Sequence, residues 1–306
     1  VHGNDPLSLG LPLRKEGFHV MTRSHGTMHI PCEDSEGDTR RLPNTIRGIL
    51  LDLDGVVYSG SDILPGSREF LSNIRRAGIK LVTVTNHSGY RVSDIVEKLR
   101  HLGLEVKERE VLTSSFATAH YLSTVSPGAV VYAIGEPALE DDLAEAGLTL
   151  SSSCSSTPDY VVVGYCSEFS RTRLEAATMH LLKGAKLIGT NPDKLLPTPN
   201  GLIPECGPVI SFLESATSTE AKVIGKPNME ILNQAFERIG ERKEHIVIVG
   251  DNPETDIEAG RRAGIAALWI RGTSKMAQNG KIFSKEDVLA YNDLEELNES
   301  LFGNSR

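Results

Sequence analysis

From Arg47 onwards, short apolar segments alternate with longer segments whose apolar residues recur every three to four positions. Short apolar runs are typical of strands buried in a parallel sheet, and the periodic segments are typical of helices packed on it. The predicted strands are 48–53, 80–84, 130–134, 160–163, 186–188, 222–224, 245–249 and 266–270. The predicted helices are 68–77, 93–102 with Ser93 as the N-cap, 139–146, 171–183, 229–239 and 254–263.

This strict alternation of strand and helix predicts an α/β fold with a parallel sheet covered on both faces. Residues 191–208 interrupt the alternation, because their proline, asparagine and glycine residues favour a long loop. Residues 1–45 have no periodic pattern and include the acidic stretch 33–38. We therefore expect a flexible leader there, rather than an ordered extension packed on the domain.

The composition is that of an ordinary globular protein, with 39% hydrophobic and 24% charged residues among 306. The net charge of −9 argues against sequence-independent binding to nucleic acid or to an anionic membrane, which requires a basic surface. A phosphorylated small molecule is compatible with this charge, since a local cationic pocket can lie within an acidic protein.

The 4 cysteines are scattered and form no CxxC pair. Their spacing argues against a zinc site, a redox motif or a disulfide framework. No apolar run reaches the roughly 18 residues of a membrane span, and no signal-peptide pattern opens the chain. We therefore expect a cytoplasmic protein.

Polar side chains concentrate where the predicted strands end, and in open parallel sheets ligands bind beyond the carboxyl ends of the strands. These ends carry Asp52, Asp54 and Gly55, then Thr85 and Asn86, then Lys226, and finally Asp251, Asn252 and Asp256. Carboxylates at short range are costly unless a cation compensates them, and oxygen ligands favour Mg²⁺. A lysine and a hydroxyl beside a metal ion suit a phosphoryl group.

Each of these residues also has a simpler interpretation. A lone aspartate at a strand end is often a helix N-cap, and a lone Lys226 is ordinarily a solvated surface charge. Thr85 alone is an ordinary β-branched strand residue. Because all of these simpler interpretations would have to hold at once, we favour one shared site.

The order of motifs DxDGV, hydrophobic-TN, GKP and GDNxxTD resembles that of the haloacid dehalogenase superfamily over essentially all of the chain after residue 45. The GKP and GDNPETDIEAG forms, with more than 100 residues between the second and third motifs, are similar to its p-nitrophenyl phosphatase or NagD-like branch. The resemblance implies a doubly wound parallel-sheet core at 46–112 and 221–306. A smaller αβ cap would be inserted at 113–220.

The same resemblance implies a Mg²⁺-dependent phosphatase. Asp52 would be the nucleophile, and Asp54 would serve as acid and then as base. Mg²⁺ would be held by Asp52, the backbone carbonyl of Asp54, and Asp251. The remaining implied roles are Thr85 and Asn86 as phosphate ligands, Lys226 as balancing charge, Asp256, Asn252 and Gly55 as supporting residues, and His87 and Asn191 as candidate substrate contacts.

The implied substrate is a small phosphorylated metabolite: a sugar phosphate, a nucleotide, pyridoxal phosphate or phosphoglycolate. Relatives often dimerise through the cap, so a homodimer is a further expectation. Within the superfamily that the chain resembles, an acid at residue 54 implies a phosphatase or mutase rather than a dehalogenase. Two alternatives remain open at this point. One is a catalytically silent binding or regulatory protein on the same fold, and the other is a phosphotransferase or phosphomutase.

Overall fold

The structure, a computed structural model, describes residues 42–43, 45–151, 157–198, 201–272 and 288–303. The predicted flexible leader at 1–45 lies outside these residues except for 42, 43 and 45. In the described part of the chain, no helix combines the length and apolar character needed to cross a lipid bilayer.

The described chain alternates strands and helices. The strands are β1 Gly48–Leu51, β2 Tyr58–Ser59, β3 Asp62–Ile63, β4 Lys80–Thr85, β5 Val111–Thr113, β6 Val130–Ile134, β7 Thr149–Leu150, β8 Tyr160–Val163, β9 Lys186–Gly189, β10 Leu195–Thr198, β11 Gly201–Pro204, β12 Lys222–Val223, β13 Ile246–Gly250, β14 Ala266–Ile270 and β15 Leu289–Tyr291. The helices are α1 Ser67–Arg76, α2 Val92–His101, α3 Ser114–Val125, α4 Pro137–Glu145, α5 Arg171–Leu182, α6 Cys206–Thr217, α7 Met229–Ile239, α8 Glu258–Ala263 and α9 Leu294–Phe302.

The larger sheet has six parallel strands in the order β15-β14-β13-β1-β4-β5. Its central strand β1 is buried on both faces, since Leu50 packs into one apolar cluster while Ile49 and Leu51 pack into another. Helices α1, α2 and α9 contribute to the second cluster, and α3, α7 and α8 contribute to the first. This arrangement is the doubly wound α/β fold that the alternation predicts.

The smaller sheet has five parallel strands in the order β12-β9-β8-β6-β7. The strands of this sheet run in sequence from β6 to β12, which ends at Val223, so the insertion lies between the second and third motifs. Val131 and Val162 of the smaller sheet share a buried cluster with Leu50 and Val82 of the larger one. The predicted limits of the cap and core, 113–220 and 46–112 with 221–306, stay predictions.

Three predictions of local structure are wrong. The strand before Lys226 pairs with β9 in the smaller sheet, because two residues suffice to extend that edge. The N-cap of α2 is Arg91 rather than Ser93, and the Asp94 carboxylate accepts a hydrogen bond from the Arg91 backbone N–H at 3.0 Å. The predicted loop at 191–208 contains an antiparallel hairpin of β10 and β11 and the start of α6.

Candidate active site

Asp52 follows β1 at the carboxyl edge of the larger sheet. Its backbone N–H donates to the carbonyl of Val249 on β13 at 2.9 Å, which continues the ladder by one residue and fixes the position of the side chain. Its carboxylate Oδ1 accepts a hydrogen bond from Lys226 Nζ at 2.6 Å, and the same ammonium donates to Asp256 Oδ1 at 2.7 Å. All three side chains are buried, so Lys226 joins two motifs far apart in sequence.

The side-chain amide of Asn86 holds Lys226 in place. Its Oδ1 accepts from the Lys226 backbone N–H at 2.8 Å, and its Nδ2 donates to the Lys226 carbonyl at 3.0 Å. The Nδ2 also donates to Asp193 Oδ2 at 2.8 Å. These bonds occupy both amide hydrogens, so the geometry gives Asn86 a positioning role; its contact with phosphate oxygens stays a prediction.

Asp251 and Asp256 complete a group of acids next to Asp52. One carboxylate oxygen from each of these three residues lies within 4.8 Å of the others. The Asn252 backbone N–H donates to Asp256 Oδ2 at 3.2 Å, and the Asn252 side chain accepts from the Glu254 N–H at 2.9 Å, at the start of a π-helical turn, Pro253–Ile257. We call Asp52, Lys226, Asp251 and Asp256 the floor of the site.

Gly55 allows the first motif to approach the floor. Its φ of 85° lies in the left-handed region, and a Cβ at this position would overlap the Asp251 carboxylate. Only glycine combines that backbone conformation with this lack of side-chain volume. The supporting role predicted for Gly55 therefore has a steric basis.

The floor carries more negative than positive charge in a buried place. Burial raises the pKa of Asp52 to about 8, against the lowering effect of the Lys226 ammonium. Burial and the charges of Asp52 and Asp256 raise the pKa of Asp251 well above its usual range. The pKa of Lys226 is also raised, because the two carboxylates outweigh the effect of burial. When all three carboxyl groups are deprotonated, the one ammonium leaves two negative charges uncompensated, which fits a divalent cation with oxygen ligands such as Mg²⁺.

Asp54 lies at the edge of the floor and is partly exposed to the cavity. The hydroxyl of the buried Tyr58 donates to Asp54 Oδ2 at 3.2 Å. The ammonium of Lys98 lies over the Tyr58 ring, 3.7 Å from its centroid. The carboxyl of Asp54 is thus held at the edge of the floor and remains open to the cavity.

Thr85 and His87 line the cavity from the end of β4. Thr85 Oγ1 accepts from the His87 backbone N–H at 3.1 Å, and His87 Nδ1 accepts from the Gly89 N–H at 3.0 Å. The His87 ring packs against Tyr165, with centroids 5.4 Å apart. Burial lowers the pKa of His87, so its imidazole is neutral near neutral pH.

The cavity itself has a volume of about 230 Å³ and brings together ten of the predicted residues, leaving out Asn191. Asn191 is fully buried behind the cavity lining, where its Nδ2 donates to the Asn86 carbonyl at 2.8 Å and its Oδ1 accepts from the Asp193 N–H at 2.9 Å. The structure therefore places Asn191 as a support of the loop rather than as a substrate contact. Its full burial is the physical reason.

On one side of the cavity, sequence reasoning named only Asn191. This side is lined by Asp193, Glu205 and the β10–β11 hairpin, none of which belongs to a predicted motif. We call these residues together the wall. The Glu205 Oε1 accepts from Asn191 Nδ2 at 3.3 Å, which ties the two acids to one loop. The Asn-Pro turn before Asp193 was an available signal for this loop, but nothing local distinguished the two acids from surface residues.

Comparisons with known proteins agree with this geometry. Residues 49–149 match the family described as haloacid dehalogenase-like hydrolase, and residues 223–297 match a second HAD-hydrolase-like family. An acid sugar phosphatase of Staphylococcus aureus is 36% identical over 225 residues, which is 74% of this chain and 86% of that protein.

Similar solved structures are also phosphatases. A p-nitrophenyl phosphatase from Archaeoglobus fulgidus superposes with a TM-score of 0.77 at 28% identity, over 84% of this chain and 100% of that one. A glycerol phosphate phosphatase from Mycobacterium tuberculosis in complex with magnesium gives a TM-score of 0.74 at 29% identity, over 82% of this chain and 76% of that one.

The fold and the site thus define a phosphatase of the α/β type with an inserted cap. The chain belongs to the haloacid dehalogenase-like hydrolases, in their p-nitrophenyl phosphatase or NagD-like branch. It is an enzyme that hydrolyses phosphoric monoesters.

Proposed function

We propose that this enzyme is a Mg²⁺-dependent phosphomonoesterase that acts on a small phosphorylated metabolite through a phospho-aspartate on Asp52. The observation that carries the proposal is the Asp52 carboxylate, buried and fixed by Lys226 beside Asp251, with the accessible Asp54 two residues away. A nucleophile and a proton donor at this separation suit a two-step displacement at phosphorus.

In the first step, an Asp52 oxygen bonds to phosphorus while the bond from phosphorus to the ester oxygen breaks. The departing oxygen takes the proton from the Asp54 carboxyl. In the second step, Asp54 takes a proton from water, whose oxygen bonds to phosphorus as the bond to Asp52 breaks. Inorganic phosphate leaves, and both carboxyl groups return to their starting states.

The chain's other groups hold the reactants in place. Lys226 fixes the Asp52 carboxylate and offsets negative charge that develops at the phosphoryl group. The Thr85 hydroxyl lines the cavity, where it suits a phosphate oxygen. Asp52, Asp251 and the carbonyl of Asp54 would hold Mg²⁺, which would neutralise phosphoryl charge when bound. The magnesium in the related mycobacterial phosphatase supports this assignment.

The experiment that tests the proposal measures phosphate release from p-nitrophenyl phosphate and a panel of sugar phosphates, nucleotides, pyridoxal phosphate and phosphoglycolate. Each assay runs with Mg²⁺ and with EDTA, on the wild type and on Asp52→Asn, which is nearly isosteric. Release that requires Mg²⁺ and is lost in the folded variant is the expected result. Equal rates in the variant would remove Asp52 as the nucleophile.

The phosphotransferase alternative requires a separate assay, because hydrolysis and phosphoryl transfer share the same first step. An added alcohol acceptor would divert the phosphoryl group from water in a transferase. We expect phosphate release to be unchanged by such an acceptor.

A further inference from the structure

Two acids of the wall have no part in the proposed mechanism. Asp193 follows β9, and Glu205 precedes α6; both line the same cavity as Asp52 and Asp54. Asp193 accepts a hydrogen bond from Asn86 Nδ2 at 2.8 Å, and Glu205 accepts one from Asn191 Nδ2 at 3.3 Å. These amide bonds fix the two carboxyl groups in the lining of the cavity that also holds Asp52 and Asp54.

The cavity offers this leaving group almost no positive charge. Of the described residues that line it, Lys226 alone carries an ammonium or guanidinium group. That ammonium already bonds Asp52 and Asp256 on the floor, at 2.6 and 2.7 Å. A carboxylate or second phosphate on the leaving group would therefore face two acids, and no further side-chain cation of the described lining would offset the repulsion.

The rest of the wall is apolar or neutral. The hairpin places four apolar residues and one hydroxyl along the cavity, namely Leu195, Leu196, Pro197, Leu202 and Thr198. Such a surface packs against the C–H faces of a polyol or a sugar ring, while carboxyl oxygens accept hydrogen bonds from its hydroxyl groups.

We propose that Asp193 and Glu205 select phosphate esters whose leaving group is uncharged and bears hydroxyl groups, and reject esters whose leaving group carries a further negative charge. This inference rests on the proposed function, since it requires the phosphoryl group to lie at Asp52. It distinguishes two of the substrate classes considered above: sugar phosphates fit, whereas phosphoglycolate does not.

The ionisation of the pair is consistent with this role. Burial, followed by the charge of Asp193, raises the pKa of Glu205 to about 8, and burial raises that of Asp193 to about 6. Near neutral pH the pair therefore carries about one negative charge and one proton, so it both donates and accepts hydrogen bonds.

The test compares two esters of the same size, glycerol 3-phosphate and 3-phosphoglycerate, which differ only by a hydroxymethyl group in place of a carboxylate. The measured quantity is the ratio of their kcat/KM values within each protein, so a general loss of activity cancels. We expect the wild type to prefer glycerol 3-phosphate by about tenfold or more. In Asp193→Asn/Glu205→Gln the preference should fall to within about threefold, mainly through a gain with 3-phosphoglycerate.

A matched control is Glu175→Gln on the outer face of α5, where an exposed carboxylate pairs with Arg171. It removes the same charge far from the cavity and should keep the wild-type ratio. The single variants Asp193→Asn and Glu205→Gln, each checked by thermal melting, replace the double variant if that one fails to fold.

Equal or better hydrolysis of 3-phosphoglycerate by the wild type would overturn the inference, as would an unchanged ratio in the folded variants. Failure of the proposed function would look different, with no phosphate released from either ester or from p-nitrophenyl phosphate. In that case the selection is tested by binding, with calorimetric dissociation constants of the two esters measured on the wild-type protein. About tenfold tighter binding of glycerol 3-phosphate supports the selection. Equal binding of the two esters contradicts it.

Discussion

The floor and the wall of the cavity are both acidic, yet they manage their charge in different ways. On the floor, a buried lysine bonds Asp52 and Asp256, and the residual negative charge suits a divalent cation. On the wall, Asp193 and Glu205 accept hydrogen bonds from the side-chain amides of Asn86 and Asn191, and no ion pair among the described residues includes either acid. Under the two proposals, the paired charge of the floor serves the chemistry, and the charge of the wall serves to select the leaving group.

Removing the ammonium of the floor should have the largest effect. Lys226→Met would leave Asp52 and Asp256 buried without their partner, so the free energy of unfolding should fall by about 3 kcal/mol or more and activity should be lost. Urea unfolding and phosphate release measure the two effects.

The matched control is Lys222→Met, which removes a lysine that is half-exposed and paired with Glu230. Surface ion pairs contribute little, so this variant should lose less than about 1 kcal/mol. If both substitutions cost the same, Lys226 does not balance the charge of the floor.

The close approach of Gly55 to the Asp251 carboxylate gives a second test, with a smaller expected effect. Gly55→Ala places a methyl group against the Asp251 carboxylate, so we expect weaker Mg²⁺ binding by calorimetry and kcat reduced about tenfold or more. Gly78→Ala is the control, since its φ of 67° is equally left-handed but its Cβ would meet no atom within 4 Å.

The control should lose about 1–2 kcal/mol of stability from backbone strain and keep its Mg²⁺ affinity. Normal affinity in Gly55→Ala would show that the Asp251 carboxylate can move without consequence.

The last test concerns the wall and is seen in the pH dependence of stability. The pKa of Glu205 rises from 4.5 to about 8 on folding, so its contribution is complete below pH 4.5 and is lost as the pH rises to 8. Between these values, wild-type stability should fall more steeply than that of Glu205→Gln, by up to about 1.4 kcal/mol per pH unit. Parallel curves from urea unfolding of the metal-free proteins would contradict the burial of this carboxyl.

The floor was accessible to sequence reasoning because its geometry follows from strand order. Parallel strands share one carboxyl edge, so Asp52, Thr85 and Asp251 had to converge once their strands were recognised. Lys226 was predicted for a partly mistaken reason, since the strand before it belongs to the smaller sheet. A two-residue strand does not specify which sheet it joins.

The wall was not accessible in the same way. Proline at residue 197 and glycine at residue 201 favour a loop by composition, and only long-range packing makes these residues a hairpin. A signal for α6 was present in Cys206, Val209, Ile210 and Leu213, which repeat with helical spacing, but the Gly-Pro pair near its start concealed it. Asp193 and Glu205 lie in irregular segments, where no periodic pattern of apolar residues indicates whether a side chain faces the cavity or the solvent.

The measurement that tests the central claim most directly is the identification of the phosphorylated residue. Wild-type enzyme turning over p-nitrophenyl phosphate with Mg²⁺ is quenched in acid, reduced with borohydride and mapped by peptide mass spectrometry. An aspartyl phosphate is reduced to homoserine, so we predict homoserine at residue 52 and unmodified aspartate at residues 54, 251 and 256. Homoserine at one of those other positions, or none at all in enzyme quenched during a burst of p-nitrophenol release, would contradict Asp52 as the nucleophile.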